Sequence, residues 1–272
     1  MPSTPASDLA RLLDLDRYPI HDPASRTELV EEGRRQLEAE SCVVLPGFLA
    51  PGVADAMSEE AMRTVPQAYR RDRQYTAYTR AGGTDLPDSH PTRRFFWNRQ
   101  HIVPTDILPA SGLILSLYGR DELTRLVADI LGEPALHRVA DPLMSCNVTV
   151  LGEGDEHGWH FDGNDFVVSL LLQAPEQGGA FEFAPYIREE GNENYDAVAA
   201  AMDGKPGLVR QKSVTPGTLM IFCGRRALHR VSPVSGRRPR LIALFSYDRQ
   251  PDMVWGPEAR LRAVGRTEAR AA

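Results

Sequence analysis

The chain has 272 residues and a formal net charge of −6, long enough to bury a sizeable core and without the basic balance of a nucleic-acid-binding domain. Its three cysteines, Cys42, Cys146 and Cys223, are widely spaced with no C-x-x-C pair, so neither a disulfide framework nor a zinc ribbon is indicated. The N-terminal stretch MPSTPASDLARLLDLDRYPI lacks a basic region followed by an apolar run, and no apolar run is long enough for a membrane span. The expectation is a cytoplasmic protein with no membrane or nucleic-acid partner, and a homodimer is compatible with it.

In chain order, residues 24–41 have helical composition, with Leu29, Val30 and Leu37 on a charged background and Ser25 or Thr27 as N-cap. CVVLPGFL predicts a short strand ended by Pro-Gly, and PGVADAMSEEAMRTV returns to helix. The polar, aromatic-dotted segment 69–106, with Gly82, Gly83, Pro87 and Pro91, predicts loops. Residues 112–133 predict one amphipathic helix. Beyond Pro142 the character changes to β. SCNVTVL, FVVSLLLQ, GAFEFAP, TLMIFC, ALHRVSPV and RLIALFSY are short strand-like runs, most of them separated by turn signals such as PEQGG and TPGT. Residues 186–207 predict a loop and a short helix, and the charged tail after Pro257 a frayed or surface helix.

Within the β half, HGWHFDGND concentrates the chemistry. Residues i and i+2 of a strand share a face, so His160 and Asp162 project together while His157 has the opposite parity. His229, the only downstream histidine, lies in another predicted strand and completes a two-histidine, one-carboxylate set, the facial triad of non-haem Fe(II) oxygenases. Eleven residues on, Arg240 opens RLIALFSY and shares parity with Ser246. A guanidinium inside a barrel needs an anion, and a carboxylate is its natural bidentate partner.

H-x-D, a distal His and an Arg about ten residues later resemble the iron- and 2-oxoglutarate-dependent dioxygenase superfamily. The stretches GWHFDGNDFVVSLLLQAPEQGGAFEFAPYIREEGNENYD and LHRVSPVSGRRPRLIALFSYD resemble its branch of free-amino-acid radical halogenases and related hydroxylases. That resemblance implies a mainly β, α+β fold: a distorted double-stranded β-helix, or cupin-like jelly roll, with packed N-terminal helices. One domain over 1–272 is expected, with a helical supporting part at 1–140, a catalytic core at 141–250 and a tail at 251–272. It implies Fe(II) on His160, Asp162 and His229, 2-oxoglutarate held by Arg240, and O2 as co-substrate. The products are succinate, CO2 and an oxidised small molecule, a free amino acid by resemblance.

In the halogenases of that branch the carboxylate position is a small residue that leaves room for chloride. Asp162 occupies it here, so hydroxylation is expected. The alternatives are halogenation or another oxidative outcome on the same scaffold, or a non-catalytic cupin-like metal binder; Arg240 argues against the binder. His157 is either a histidine behind the ligands or, as the resemblance implies, a substrate contact. Asn147, Thr149 and Ser246 are candidate 2-oxoglutarate contacts. Arg93, Arg94, Trp97 and Trp255 are candidate substrate contacts, with Trp255 placed to cap the pocket and the two arginines also readable as solvated surface residues. Asp165 either orients a ligand histidine or caps a turn.

Overall fold

The computed structural model describes residues 5–78 and 82–270. Residues 1–4, where the N-terminal stretch read above begins, and 271–272, where the tail ends, lie outside the described residues, as do 79–81. No helix of the described residues is long and apolar enough to cross a membrane.

An eleven-stranded antiparallel sheet curls on itself. In chain order its strands are β1 Cys42–Leu45, β2 Tyr69–Thr76, β3 Phe95–Val103, β4 Cys146–Leu151, β5 Glu156–His160, β6 Val167–Gln173, β7 Phe181–Ala184, β8 Arg210–Lys212, β9 Leu219–Phe222, β10 Leu228–Val231 and β11 Arg240–Phe245. Neighbours run β1-β9-β6-β11-β4-β3-β5-β10-β7-β8, with β2 added to β3. The fold is therefore the expected mainly β jelly roll, and three of its strands come from the first 140 residues.

Strand periodicity decides what faces what. In β11, Leu241, Ala243 and Phe245 enter the main core, whereas Arg240, Ile242 and Leu244 face a cavity between the two halves of the sheet. In β4 the same rule sends Cys146, Val148 and Val150 to the core and Asn147, Thr149 and Leu151 to the cavity. The core face is covered by helices α2 Pro23–Glu40, α3 Val53–Thr64, α4 Leu113–Tyr118 and α5 Asp121–Leu131, after a short α1 Pro5–Ala10. Helix α5 buries Leu123, Leu126, Val127 and Ile130, an i, i+3, i+4, i+7 stripe, each burial contributing about 1.5–3 kcal/mol. The remaining helices are α6 Tyr195–Met202, within the expected loop-and-helix insert, and α7 Pro257–Val264.

Three expectations need correction. Residues 112–133 form two helices, because the chain extends at Arg120 after Gly119 and restarts with Asp121 and Glu122 at the positive end of α5. Helix α2 is capped by Asp22, which accepts from the Ser25 N–H and precedes Pro23. Segment 69–106 contains the paired strands β2 and β3, in register from Tyr69↔Ile102 to Thr76↔Phe95. Its polar composition misled because β2 is an edge strand with Arg70, Asp72, Arg73 and Gln74 in water. The tail forms a surface helix, as one of its two readings expects, anchored by Val264, which is 2% exposed and packs with Ile102 and Leu143.

Candidate metal centre

His160 ends β5 and His229 lies directly opposite it in β10. Both imidazoles are buried, with ring centroids 3.9 Å apart. Asp162 follows the end of β5, in a turn pinned by Phe161 N–H to Ala77 and Asp162 N–H to the Gly224 carbonyl. Its Oδ1 lies 3.6 Å from His160 Nε2 and its Oδ2 3.4 Å from His229 Nε2. One ligand atom from each residue falls within 4.8 Å of the others, so the three could grip a single cation.

Each histidine donates Nδ1–H to a backbone carbonyl: His160 to Gly158 at 2.9 Å and His229 to Ala227 at 3.0 Å. A carbonyl can only accept, so the proton sits on Nδ1 and the Nε2 lone pair faces Asp162. Burial, with His229 beside it, lowers the His160 pKa, which favours the neutral, ligating imidazole. Burial alone would raise the Asp162 pKa. The positive charge that His229 and His160 carry when protonated outweighs it and lowers the Asp162 pKa below the usual carboxylate range.

Gly224 is part of this geometry, since a Cβ there would overlap the Asp162 carboxylate. Gly224→Ala is expected to push Asp162 off the histidines and weaken Fe(II) binding by about 10-fold or more, the scale seen when ligand supports are lost. Anaerobic Fe(II) titration of folded variant and wild type checks it; equal affinity would mean Asp162 does not need this clearance.

His157 departs from simple strand parity. Between His229↔His160 and Val231↔His157 the register shifts, so Gly158 and Trp159 of β5 together oppose Arg230 of β10. That bulge turns His157 onto the cavity face, stacked on His160 with centroids 3.8 Å apart. Tyr75 secures the bulge by donating to the Gly158 carbonyl at 2.9 Å.

The cavity of about 260 Å³ is lined by the triad, His157, Asn147, Thr149 and Arg240, among others. The Arg240 side chain is 3% exposed and has no anionic or hydrogen-bonding partner among the described residues. Burial pulls its pKa down to about 10, which leaves it charged at neutral pH. The Asn147 Oδ1 is buried without a partner.

Other candidates lie elsewhere. Ser246 falls beyond the end of β11 and donates to the Met144 carbonyl, outside the cavity lining. Arg93 binds the Leu86 carbonyl and pairs with Asp88, and Arg94 pairs with Asp203 at 2.7 Å. Trp97 lies under the Arg99 guanidinium, and Trp255 donates its backbone N–H to Asp141. None of these four lines the cavity. Asp165 neither orients a histidine nor caps a turn; it pairs with Arg225 and Arg249. Glu182 points away from the cavity to Arg230, while Phe181 lines it.

Sequence reasoning missed Arg71 of β2. It lines the cavity, donates Nη2–H to the Ala263 carbonyl at 2.6 Å, and keeps a buried Nε without a partner. Burial first, then Arg73, pulls its pKa down to about 10. Parity with Tyr69 and Tyr75 marks Arg71 and Arg73 alike, and it is legible only once β2 is recognised.

A family profile described as Halogenase D matches residues 25–256. No curated protein sequence matches the chain. Similar solved structures include an oxidoreductase of the 2OG-Fe(II) oxygenase family from Burkholderia pseudomallei, at TM-score 0.51 and 17% identity, covering 81% of this chain and 91% of that one. The epimerase SnoN, solved with Fe3+, alpha ketoglutarate and nogalamycin RO, has TM-score 0.55 and 17% identity, covering 83% and 84%. AviO1 from Streptomyces viridochromogenes Tue57 has TM-score 0.55 and 16% identity, covering 81% and 95%. At these identities the likeness to solved structures is one of fold.

Proposed function

The chain belongs to the Halogenase D family, and from that membership we propose that it is an Fe(II)- and 2-oxoglutarate-dependent oxygenase that hydroxylates a small free amino acid. The observation that carries the reading is the pairing of a His-Asp-His cluster with a buried, unpartnered arginine in one cavity. A charge left unpaired in the interior costs several kcal/mol, so Arg240 calls for an anion from outside the chain. A metal-chelating dicarboxylate supplies that anion and connects Arg240 to the cluster.

The donor set suits the group. Two neutral Nε2 atoms and one carboxylate form the facial triad of Fe(II) oxygenases. When bound, iron and 2-oxoglutarate would convert O2 into an oxidant able to break an unactivated C–H bond, with succinate and CO2 as co-products. The chain's own task is positional. His160 and His229 are aimed by their Nδ1–H bonds, Asp162 contributes the negative ligand, and Arg240 orients the cofactor by its far carboxylate. Thr149 and Asn147, on the Arg240 side of the sheet, complete the cofactor's polar surroundings.

Arg71 and His157 define the substrate side. A second buried guanidinium on the cavity wall suits a substrate carboxylate, and His157, stacked on His160, lines the same cavity. About 260 Å³ is below the roughly 300–1,000 Å³ of sites for drug-sized ligands, which favours a small substrate. Hydroxylation is favoured over halogenation because both Asp162 oxygens already face the histidines, where a halide would have to bind.

The test begins anaerobically, with Fe(II) and 2-oxoglutarate added to purified protein; the visible charge-transfer band of the chelate is expected. Air and individual amino acids then follow, with succinate and product mass as readouts. A gain of about 16 Da per oxygen marks hydroxylation; a halogenated product would replace the outcome proposed here, and a folded, metal-loaded protein with no band would leave only a metal binder. Arg71→Ala is expected to keep the band and raise the substrate KM by about 10- to 100-fold, the loss of one charge-assisted contact. An unchanged KM would remove Arg71 from the substrate site.

A further inference from the structure

At the Arg71 end, the cavity is closed by the C-terminal helix as well as by the sheet. Ala263 of α7 lines it, and Val264 beside it packs on Ile102 and Leu143. One fully buried carboxylate holds this arrangement. Asp141 accepts the backbone N–H groups of Leu143 and Met144, just before β4, and also the Trp255 N–H and Arg260 Nε–H of the C-terminal segment. Further along, Arg266 pairs with Asp106 at 2.6 Å.

The helix ends against β2. Gly265 closes α7 with φ of 75°, and a Cβ there would overlap the ring of Tyr69. Two residues along the same strand and on the same face is Arg71, whose Nη2–H bonds the Ala263 carbonyl. The last carbonyls of a helix lack intrahelical partners and carry partial negative charge. Helix α7 therefore offers the Arg71 guanidinium a fixed acceptor of favourable sign, and the buried Nε stays free.

We propose that α7 is a wall of the substrate chamber and that Ala263 is a positioning residue, its carbonyl fixing the Arg71 guanidinium that receives the substrate's anionic group. The proposal rests on the reading of Arg71 given above. It separates two halves of the site. Iron and 2-oxoglutarate depend on β4, β5, β10 and β11, whereas substrate affinity also depends on the docking of a helix at the end of the chain.

Gly265→Ala is the test, because it strains the left-handed turn and drives the last turn of α7 off Tyr69. Glu258→Gln, on the exposed start of the same helix, is the control. In Gly265→Ala the 2-oxoglutarate concentration that half-saturates the anaerobic visible band is expected to match wild type, which also reports an intact jelly roll. The concentration of an equimolar mixture of proteinogenic amino acids giving half-maximal succinate release is expected to rise about 10-fold, the scale of one charge-assisted hydrogen bond. Reaction of Arg71 with phenylglyoxal, read by peptide mass spectrometry, is expected to accelerate while Arg240 stays protected. Unchanged half-saturation together with unchanged Arg71 reactivity overturns the proposal, as does joint loss of the chelate band and the substrate response, which would make α7 merely structural. Should no amino acid stimulate wild-type succinate release although the band forms, the amino-acid reading fails. Arg71 reactivity then decides the positioning role: acceleration supports it and no change overturns it.

Discussion

Asp162→Gly is expected to lower the proposed hydroxylation by at least about 100-fold, more than the 10- to 100-fold typical of lost ligand supports, because it deletes a proposed ligand outright. It leaves His160 and His229 aimed by their own backbone bonds, which do not pass through Asp162. The cluster therefore keeps two nitrogen donors and loses its only negative charge. Gly224 faces the vacated position, so the space is bounded on that side by backbone alone. A halide from solvent then has both room and an electrostatic reason to bind where the carboxylate was. Assaying succinate and product mass in chloride and in bromide separates the outcomes. A halogenated product makes residue 162 the switch between hydroxylation and halogenation. Hydroxylation at the wild-type rate removes Asp162 from the ligand set.

The parts of this molecule legible in the sequence obey one simple period. The six strand-like runs after Pro142 fall in β4, β6, β7, β9, β10 and β11, because alternation between a helix-covered face and a cavity face leaves a clear pattern. His160 and His229 are found by that rule. His157 is not, since the bulge at Gly158–Trp159 inverts parity for one strand turn, and a bulge is set by pairing with β10 and β3 that no local window contains. Ser246 fails for the opposite reason: parity with Arg240 is right, but β11 stops at Phe245 and the chain turns away to Met144. Arg93, Arg94 and Trp97 do not line the cavity, although the segment 69–106 in which they lie helps to wall it. Its contribution, however, comes from strands, through Arg71 and Gln100 on their inner face. The role of α7 depends on contacts between residues more than a hundred positions apart, such as Arg71 with Ala263 and Asp141 with Arg260.

Arg240→Ala is expected to weaken 2-oxoglutarate binding by about 30-fold to several thousand-fold, from the 2–5 kcal/mol typical of truncating one side of a buried charge pair. Fe(II) affinity of the protein without cofactor is expected to stay near wild type, because Arg240 makes no bond to the triad or to its supports among the described residues. Equal loss of both affinities would make Arg240 a structural residue. A second observable comes from stability. Without an anion, Arg240 is a guanidinium 3% exposed with no partner among the described residues, a state that costs several kcal/mol. Arg240→Met keeps much of the side-chain volume and removes that cost. Its cofactor-free form should therefore melt above wild type, whereas saturating 2-oxoglutarate with a redox-inert divalent metal should stabilise wild type far more than the variant. The two melting orders should cross. Parallel melts, with the same gain from 2-oxoglutarate in both proteins, would mean the cofactor's far carboxylate is held somewhere other than Arg240.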